Sequence, residues 1–219
     1  MRCIFCKKTN VSFTSIEHII PESIGNLEHT LPKGVVCDIC NNYFSREVEG
    51  PFINSDVLID IRHKMKIVSK RKRIPDEIKS DILKLPDQRI VARFLCKVGL
   101  EVLAERAITA NVPNWEQDVI DKQELDDLRN FARFNICKGV WPFYYRTLHP
   151  VNAVFKDEND SFEILHEYDL LYTDKFELYL ILSVFGVEFA INLGGATMDG
   201  YKKWLEENEF KSHLYIKKV

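Results

Sequence analysis

The chain has 219 residues, 46% of them hydrophobic, and its formal net charge is −3. A chain of this length can bury a core as one medium domain or two small ones, and its weak net charge does not by itself indicate a nucleic-acid partner. It has no run of 18 apolar residues, and its start, MRCIFCKKTN, lacks the apolar segment of a signal peptide. We therefore expect a cytoplasmic protein without a membrane span, in which cysteine thiols stay reduced.

Two Cys-x-x-Cys knuckles are the first feature along the chain. Thirty residues separate the two knuckles, whose members are Cys3, Cys6, Cys37 and Cys40. Two-residue spacing lets both sulfurs of a knuckle face one ion, so two knuckles predict a closed tetrahedral site for one structural Zn²⁺. Reduced thiols disfavour disulfides, and a redox pair would need one knuckle rather than two, while an iron–sulfur cluster stays open as an alternative. We expect the remaining Cys96 and Cys137 to be buried core residues.

A short polar segment lies between the knuckles. The run TSIEHIIP (14–21) predicts a strand that carries Glu17 and His18. Neighbouring side chains of an ideal strand face opposite sides, so a bend is needed if both are to reach one metal ion. The run CDICNNYFSREVEGPF (37–52) predicts a knuckle followed by a helix, and it places Asn41 directly after the last cysteine.

These residue types match the needs of phosphodiester hydrolysis. Such a reaction requires a base that takes a proton from water and a divalent cation that stabilises charge on the scissile phosphate. Histidine is the natural base near neutral pH, and a carboxylate with an amide oxygen suits Mg²⁺. His18 is therefore the candidate base, and Glu17 and Asn41 are candidate ligands of Mg²⁺ or Mn²⁺. Glu49, later in the predicted helix, is expected to be exposed, with the metal zone as the alternative.

The pattern CIFC…EHIIPESIGN…VVCDICNNYF resembles the Cys₄-zinc branch of the HNH endonucleases, the ββα-metal nucleases, over about residues 1–53. The resemblance implies that His18 is the general base and that the four knuckle cysteines bind a structural zinc. It also implies that Glu17, where Asp is more common in the family, and Asn41 bind the catalytic metal. The implied substrate is DNA, in an anti-phage defence or restriction context.

The chain departs from the family at the central Asn that many members carry before the second knuckle. Lys33 or Gly34 stands about where that Asn is expected. Asn26 and His29 are candidate substitutes, but neither aligns with the family position. The resemblance therefore leaves the residue that organises this loop unassigned.

Helices are predicted for most of residues 54–145, and strands follow them. The runs 87–109 and 123–136 place apolar residues at helical spacing, and Lys97 and Glu101 fall outside the apolar stripe of the first run. Residues 151–193 predict three or four antiparallel strands with a turn or bulge at Gly186. The run 199–210 predicts a closing helix and 213–218 one last strand, while the aromatic run 141–146 suits core packing better than base stacking.

Charge is distributed unevenly along the chain. Residues 1–73 carry an excess of four positive charges and residues 74–219 an excess of seven negative charges. Seven Lys and Arg residues lie within 62–73, which favours either a solvated surface or a contact with a phosphate backbone. The candidate nucleic-acid contacts are Lys64, Lys66, Lys70, Arg71, Lys72 and Arg73.

Together these patterns predict an α+β fold, in which an N-terminal zinc-stabilised ββα-metal (HNH) module (1–53) precedes helices and a small antiparallel sheet. The second part, 54–219, is predicted to be helical over 54–145, then antiparallel strands and a closing helix; its role is left open, with substrate binding and partner binding as the alternatives. The leading hypothesis is a metal-dependent endonuclease or nickase acting on DNA, and the alternative is a non-catalytic zinc-ribbon adaptor for nucleic acid or protein. The acidic surplus of 74–219 leaves room for a protein partner that controls the nuclease, and an oligomer is compatible with the sequence.

Overall fold

The computed structural model describes residues 1–26, 28–69, 71–79, 84, 86–137, 139–147, 166–174 and 177–216. The chain divides into two compact units, Met1–Val140 and Trp141–Val219. The predicted boundary at residue 53 falls inside the first unit, and the assignment of separate roles to the segments on its two sides stays a prediction.

The first unit begins with two very short strands and a helix. The two strands pair antiparallel, with Glu17 opposite Leu31 and His18 opposite Thr30. The helix then continues through a π-helical turn without a break in the chain direction. In chain order, the elements are β1 (Glu17–His18), a 3₁₀ turn (Glu22–Ile24), β2 (Thr30–Leu31), α1 (Asp38–Phe44), the π-helical turn (Ser45–Glu49) and α2 (Gly50–Ile53). This order of two strands and a helix agrees with the predicted ββα module.

Helices form the rest of the first unit. They are α3 (Asp56–Lys64), α4 (Gln88–Thr109), a π-helical turn (Gln117–Asp121), a 3₁₀ turn (Gln123–Leu125) and α5 (Asp126–Phe134). The carboxylate of Asp87 caps α4 by accepting from the amides of its first turn. Phe94 stacks on Phe52 with ring centroids 4.2 Å apart, which packs α4 against α2. Lys97 and Glu101, although outside the apolar stripe of α4, are wholly buried.

The second unit is an antiparallel sheet of four described strands with two helices. The strand order is β3-β6-β5-β4. The elements are β3 (Phe143–Thr147), β4 (His166–Tyr172), β5 (Leu178–Val184), β6 (Val187–Asn192), α6 (Asp199–Glu207) and α7 (His213–Ile216). Phe185 and Gly186, with φ of 51° and 78°, form the two-residue turn between β5 and β6, which confirms the predicted turn at Gly186.

Two predictions for this unit were wrong, and one part lies outside the described residues. β3 begins inside the range predicted to be helical, because 141–146 is an aromatic run with strand propensity. The predicted last strand is the short helix α7, since Leu214 packs into the core that α6 forms with the sheet. The part of the predicted strand region at 151–165 is not described.

The core of the second unit lies between α6, α7 and one face of the sheet. It is formed by Leu171, Tyr179, Ile181, Ala190, Met198, Tyr201, Leu205 and Leu214. Tyr144 packs on Tyr201 with ring centroids 5.6 Å apart, and the buried Trp141 donates from Nε1 to O of Asn192 at 2.9 Å. Core packing therefore accounts for these two residues of the aromatic run, whereas Tyr145 is 57% exposed.

Candidate functional site

The four knuckle cysteines converge on one point. Their sulfur atoms all lie within 4.8 Å of one another, and Sγ of Cys6 is 3.7 Å from Sγ of Cys37. Four sulfurs at about 2.3 Å from a zinc ion form a tetrahedron with edges of about 3.8 Å, so this cluster could bind Zn²⁺. Of the two other cysteines, Cys96 is buried as expected, whereas Cys137 is exposed.

The protonation of these cysteines explains why they suit a cation. A hydrogen bond from Cys40 lowers the pKa of Cys3 to about 5, whereas burial raises the pKa of Cys37 to about 11. Negative charge on one sulfur therefore disfavours negative charge on its neighbours. A divalent cation at their centre removes this repulsion and lets all four act as thiolates.

Both knuckles are held by backbone turns and by α5. The amide of Lys7 donates to O of Cys3 at 2.9 Å, and the amide of Ile4 donates to O of Val35 at 3.0 Å. From α5, the buried Arg129 donates from Nε to O of Ile4 at 2.6 Å. The position of the first knuckle thus depends on a helix that lies outside the segment 1–53.

Asn41 ties α1 to the strand that carries His18. Its Nδ2 donates to O of Ile16 at 3.1 Å. This bond orients the amide, because the NH₂ branch faces the backbone of Ile16 and the acceptor Oδ1 lies on the other branch. Asn41 directly follows Cys40, so the cysteine cluster and this bond together hold α1 beside β1. The structure therefore brings Asn41 to the strand that carries His18. The His18 residue is half-buried.

Glu17 is buried against α4. Its residue is 5% exposed, and its Oε1 lies 2.8 Å from Nζ of the wholly buried Lys97. The same Nζ lies 3.0 Å from O of His18 and 3.5 Å from O of Ile19. α4 therefore contacts both the backbone of β1 and one of its side chains, and the role of Glu17 as a metal ligand stays a prediction.

Two further carboxylates meet the same ammonium group. Nζ of Lys97 lies 2.7 Å from Oε1 of Glu49 and 2.9 Å from Oε2 of Glu101. The side chain of Glu49, expected to be exposed, is only 13% exposed because it faces this cluster. Sequence reasoning missed Lys97 and Glu101, and the available signal was a Lys and a Glu four residues apart in an otherwise apolar helix.

Burial around Lys97 favours the protonated, neutral form of two of the neighbouring carboxyl groups. Burial raises the pKa of Glu17 and raises the pKa of Glu101 well above its usual value. Burial alone would lower the pKa of Lys97, but the carboxylates of Glu101, Glu17 and Glu49 raise it well above its usual value. Lys97 therefore stays protonated, and the raised pKa values of Glu17 and Glu101 disfavour ionisation of both carboxyl groups at once.

Asn26 organises the connection between β1 and β2. It is wholly buried, and its Nδ2 donates to O of Ile20 at 2.6 Å and to O of His29 at 3.1 Å. Its Oδ1 accepts from the amides of Glu28 and His29 at 3.0 and 2.9 Å. One side chain thus fixes both ends of the loop, which is the organising role that sequence comparison left unassigned. Alignment missed it because Asn26 lies earlier in the loop than the family position.

The basic run 62–73 is only partly on the surface. Arg62 is 4% exposed, and Nζ of Lys64 pairs with Asp60 at 2.7 Å. Lys70 lies outside the described residues. The exposed candidate contacts of the run, beyond the paired Lys64, are Lys66, Arg71, Lys72 and Arg73.

A tight turn presents the end of this run. The amide of Ser69 donates to O of Arg73 at 2.8 Å, and the amide of Lys72 donates to O of Ser69 at 2.7 Å. Arg71, Lys72 and Arg73 are therefore exposed on one turn, and we call Ser69 with residues 71–73 the basic turn. Their role as nucleic-acid contacts stays a prediction.

Comparison with known proteins gives the class of the N-terminal module. The short hairpin, the cysteine cluster and α1 form a ββα module whose four cysteines could bind a metal ion. Residues 3–57 match a family model described as HNH endonuclease, which confirms the resemblance for about a quarter of the chain. No curated protein and no solved structure matches the chain. Within the part of the chain that the structure describes, every helix is too short or too polar to cross a membrane.

Proposed function

We propose that the protein is a metal-dependent endonuclease or nickase that hydrolyses phosphodiester bonds of DNA. The observation that carries the proposal is the hydrogen bond from Asn41 to O of Ile16, within the segment that matches HNH endonucleases. It supports the proposal because it holds an amide of α1 beside the strand of His18. The resemblance extends the proposal to an anti-phage or restriction context.

His18 is assigned the role of general base. A half-buried imidazole can reach water while its backbone is held, and β1 is held by β2 and by Lys97. In this role His18 takes a proton from the attacking water, whose hydroxide forms a bond to phosphorus while the bond from phosphorus to the leaving oxygen breaks.

Glu17 and Asn41 would hold a divalent cation, Mg²⁺ or Mn²⁺. Two observations fit this assignment. Oε2 of Glu17 is buried and makes no hydrogen bond among the described residues, and Asn41 turns its NH₂ group to Ile16, which leaves its oxygen branch for a ligand. When bound, the cation supplies charge stabilisation on the scissile phosphate and the leaving oxygen.

The basic turn is assigned to the DNA backbone. Arg71, Lys72 and Arg73 are exposed and carry no carboxylate partner in the described ion pairs. Lys and Arg contacts to phosphates position a duplex without reading its sequence. The proposed nuclease would therefore bind DNA at this turn with a strong dependence on salt.

One observation favours the non-catalytic adaptor as a second candidate function. Oε1 of Glu17 forms an ion pair with the buried Lys97, a contact that a purely structural carboxylate would also make. In an adaptor, the cysteine cluster would hold a binding surface and His18 would have no reaction to catalyse.

Plasmid cleavage decides between the two functions. Supercoiled plasmid is incubated with the full chain and Mg²⁺ or Mn²⁺, and open-circular and linear products separate nicking from double-strand cutting. His18→Ala should abolish cleavage, whereas His63→Ala should retain it, because His63 lies on α3 outside the matched segment. Wild-type protein that cuts in neither metal, or a His18→Ala variant that cuts like the wild type, would support the adaptor instead.

Zinc analysis tests the cysteine cluster separately from cleavage. The protein should contain about one zinc per chain, and Cys37→Ser should lose the zinc and unfold the N-terminal module. Native protein in which all four knuckle thiols react quickly with a thiol reagent would contradict the structural zinc.

A further inference from the structure

The ammonium group of Lys97 joins α4 to the strand of His18. Its side chain is wholly buried, and Nζ lies 3.0 Å from O of His18 and 2.8 Å from Oε1 of Glu17. Lys97 lies outside the segment that matches HNH endonucleases, so the match gives it no role. Its contacts reach both residues of β1.

We propose that Lys97 is a positioning residue for the hydrolysis, because its ammonium fixes the backbone at His18 and the side-chain orientation of Glu17. The proposal rests on the endonuclease function proposed above. It adds a residue of α4 that touches no reacting group and acts through β1.

The shortness of β1 explains why support from α4 matters. β1 and β2 have two residues each, so the hairpin ladder contributes few hydrogen bonds. After β1, the amide of Ile19 donates to O of His29 at 3.0 Å. The carbonyl oxygens of His18 and Ile19 lie 3.0 and 3.5 Å from Nζ of Lys97. The long, buried helix α4 therefore stabilises β1, which its pairing with β2 holds only weakly.

The contact with Glu17 sets the direction of its carboxylate. Oε1 is held by the ammonium, which restricts the positions that Oε2 can take. The ammonium is itself fixed, because Glu49 and Glu101 contact it at 2.7 and 2.9 Å. Reaction geometry is held to a fraction of an ångström only when the supporting side chains are themselves locked.

Three variants test the proposal. Lys97→Met removes the ammonium but leaves three carboxyl groups around an apolar side chain, which is expected to be strongly destabilising. The double variant Lys97→Met/Glu101→Gln also replaces the most deeply buried carboxyl by a neutral amide, so it is the variant expected to fold. Arg93→Met is the matched control, because Arg93 is a buried cation one turn earlier in α4 whose hydrogen bonds go to Tyr43 and Ala132 rather than to β1.

Kinetics on zinc-loaded, folded protein give the first readout. The double variant should have a kcat about 100-fold lower than the wild type, since a displacement of about 1 Å has that effect on reactions that depend on orientation. Its KM for DNA should change little, because the hydrogen bonds and ion pairs described for Lys97 go to β1, Glu49 and Glu101 rather than to the basic turn. Arg93→Met should keep kcat near the wild-type value. A folded double variant with wild-type kcat would overturn the proposal.

Amide hydrogen exchange gives a second readout that does not depend on cleavage. The amide of Ile19 should exchange faster in the double variant than in the wild type and in Arg93→Met. Unchanged exchange at Ile19 would overturn the positioning role even if the protein cuts DNA. Wild-type protein that never cuts DNA, with faster exchange in the double variant, would instead refute the endonuclease function and leave the contact of Lys97 with β1 supported.

Discussion

Arg133 donates from Nε to Sγ of Cys40 at 3.3 Å, so a side chain of α5 binds a sulfur of the second knuckle. The guanidinium also lies over the ring of Tyr43, with Cζ 3.7 Å from the ring centroid. The first knuckle has a similar contact with α5 through Arg129 and O of Ile4. The proposed zinc cluster is therefore held from outside the segment that matches the HNH family.

Loss of the Arg133 contact should make zinc easier to remove. A cationic N–H donor stabilises a thiolate ligand, and outer-shell partners of metal ligands typically change metal affinity by about tenfold or more. Arg133→Met should therefore release zinc to a chelator about tenfold faster than the wild type. The measurement is the rate of zinc transfer to a coloured chelator.

Arg46→Met is the control for this prediction, because Arg46 is exposed in the π-helical turn after α1 and none of the described hydrogen bonds joins it to a cysteine. It should release zinc at the wild-type rate. Equal release rates for Arg133→Met and the wild type would show that the N–H···S bond contributes nothing to zinc retention.

Local sequence patterns predicted the parts of the fold that depend on short-range geometry. The spacing of the cysteines predicted a cluster such as the one found, and helical spacing predicted α4 and α5. The motif order predicted the match of residues 3–57 to an HNH endonuclease model, and the α+β class was also correct. In each case the residues that determine the structure lie within a few turns or one loop of one another.

Contacts between distant parts of the chain could not be predicted in this way. Nothing in the run around Lys97 shows that its ammonium reaches β1, because that contact joins residues about 80 positions apart. α7 was predicted as a strand because four residues carry too little periodicity to separate the two classes. Burial of a charged residue becomes visible only when the element packed against it is known.

Asn26 provides a prediction about the loop between β1 and β2. Asn26→Asp keeps the two acceptor bonds from the amides of Glu28 and His29 but loses the two donor bonds to O of Ile20 and O of His29. The buried O of Ile20 and the partly buried O of His29 would then face a carboxyl, so the free energy of unfolding should fall by about 2 kcal/mol. Denaturant unfolding measures this change.

The exposed Asn42 on α1 offers the control for the loop. Asn42→Asp should change the free energy of unfolding by less than about 0.5 kcal/mol, as surface substitutions usually do. If Asn26→Asp is no more destabilising than Asn42→Asp, the donor bonds of Asn26 do not hold the loop.

Glu101 should make stability fall as the pH rises. Burial raises its pKa in the folded protein well above its unfolded value, and it faces Lys97, Glu17 and Glu49. Between the two pKa values the folded protein binds more protons than the unfolded chain, so the free energy of unfolding decreases with increasing pH. Glu101→Gln removes this titration. The stability of the wild type relative to Glu101→Gln should therefore be greatest near about pH 5 and decline toward about pH 8.

Denaturant unfolding of both proteins over this pH range, without added Mg²⁺, measures the effect. The difference between the two proteins cancels the pH dependence of the zinc cluster, which they share. A difference that stays constant, or that grows with pH, would contradict the raised pKa of Glu101.

The basic turn should determine the salt dependence of DNA binding. The combined variant Arg71→Gln/Lys72→Gln/Arg73→Gln removes three exposed cations, so the slope of log affinity against log salt should become shallower by up to about 3. The matched control carries Lys202→Gln, Lys203→Gln and Lys211→Gln in the second unit, which are also exposed. A salt titration of duplex binding should separate the two variants, and equal slopes would exclude the basic turn as the phosphate contact.

Glu188 should be a strong determinant of stability in the second unit. It is 1% exposed, and its Oε1 accepts from Nε of Arg146 at 2.8 Å and from the hydroxyl of Tyr201 at 3.0 Å, while its Oε2 accepts from Ser212. Glu188→Gln leaves a largely buried guanidinium without its counter-ion, so the free energy of unfolding should fall by about 3 kcal/mol.

Glu207→Gln is the control, because it breaks an exposed ion pair with Lys203 at 3.2 Å and should lower the free energy of unfolding by less than about 0.5 kcal/mol. Thermal and denaturant unfolding of the two variants compares a buried pair with a surface pair in one sheet-and-helix unit, and equal losses would show that the Glu188 network contributes no more than surface charge.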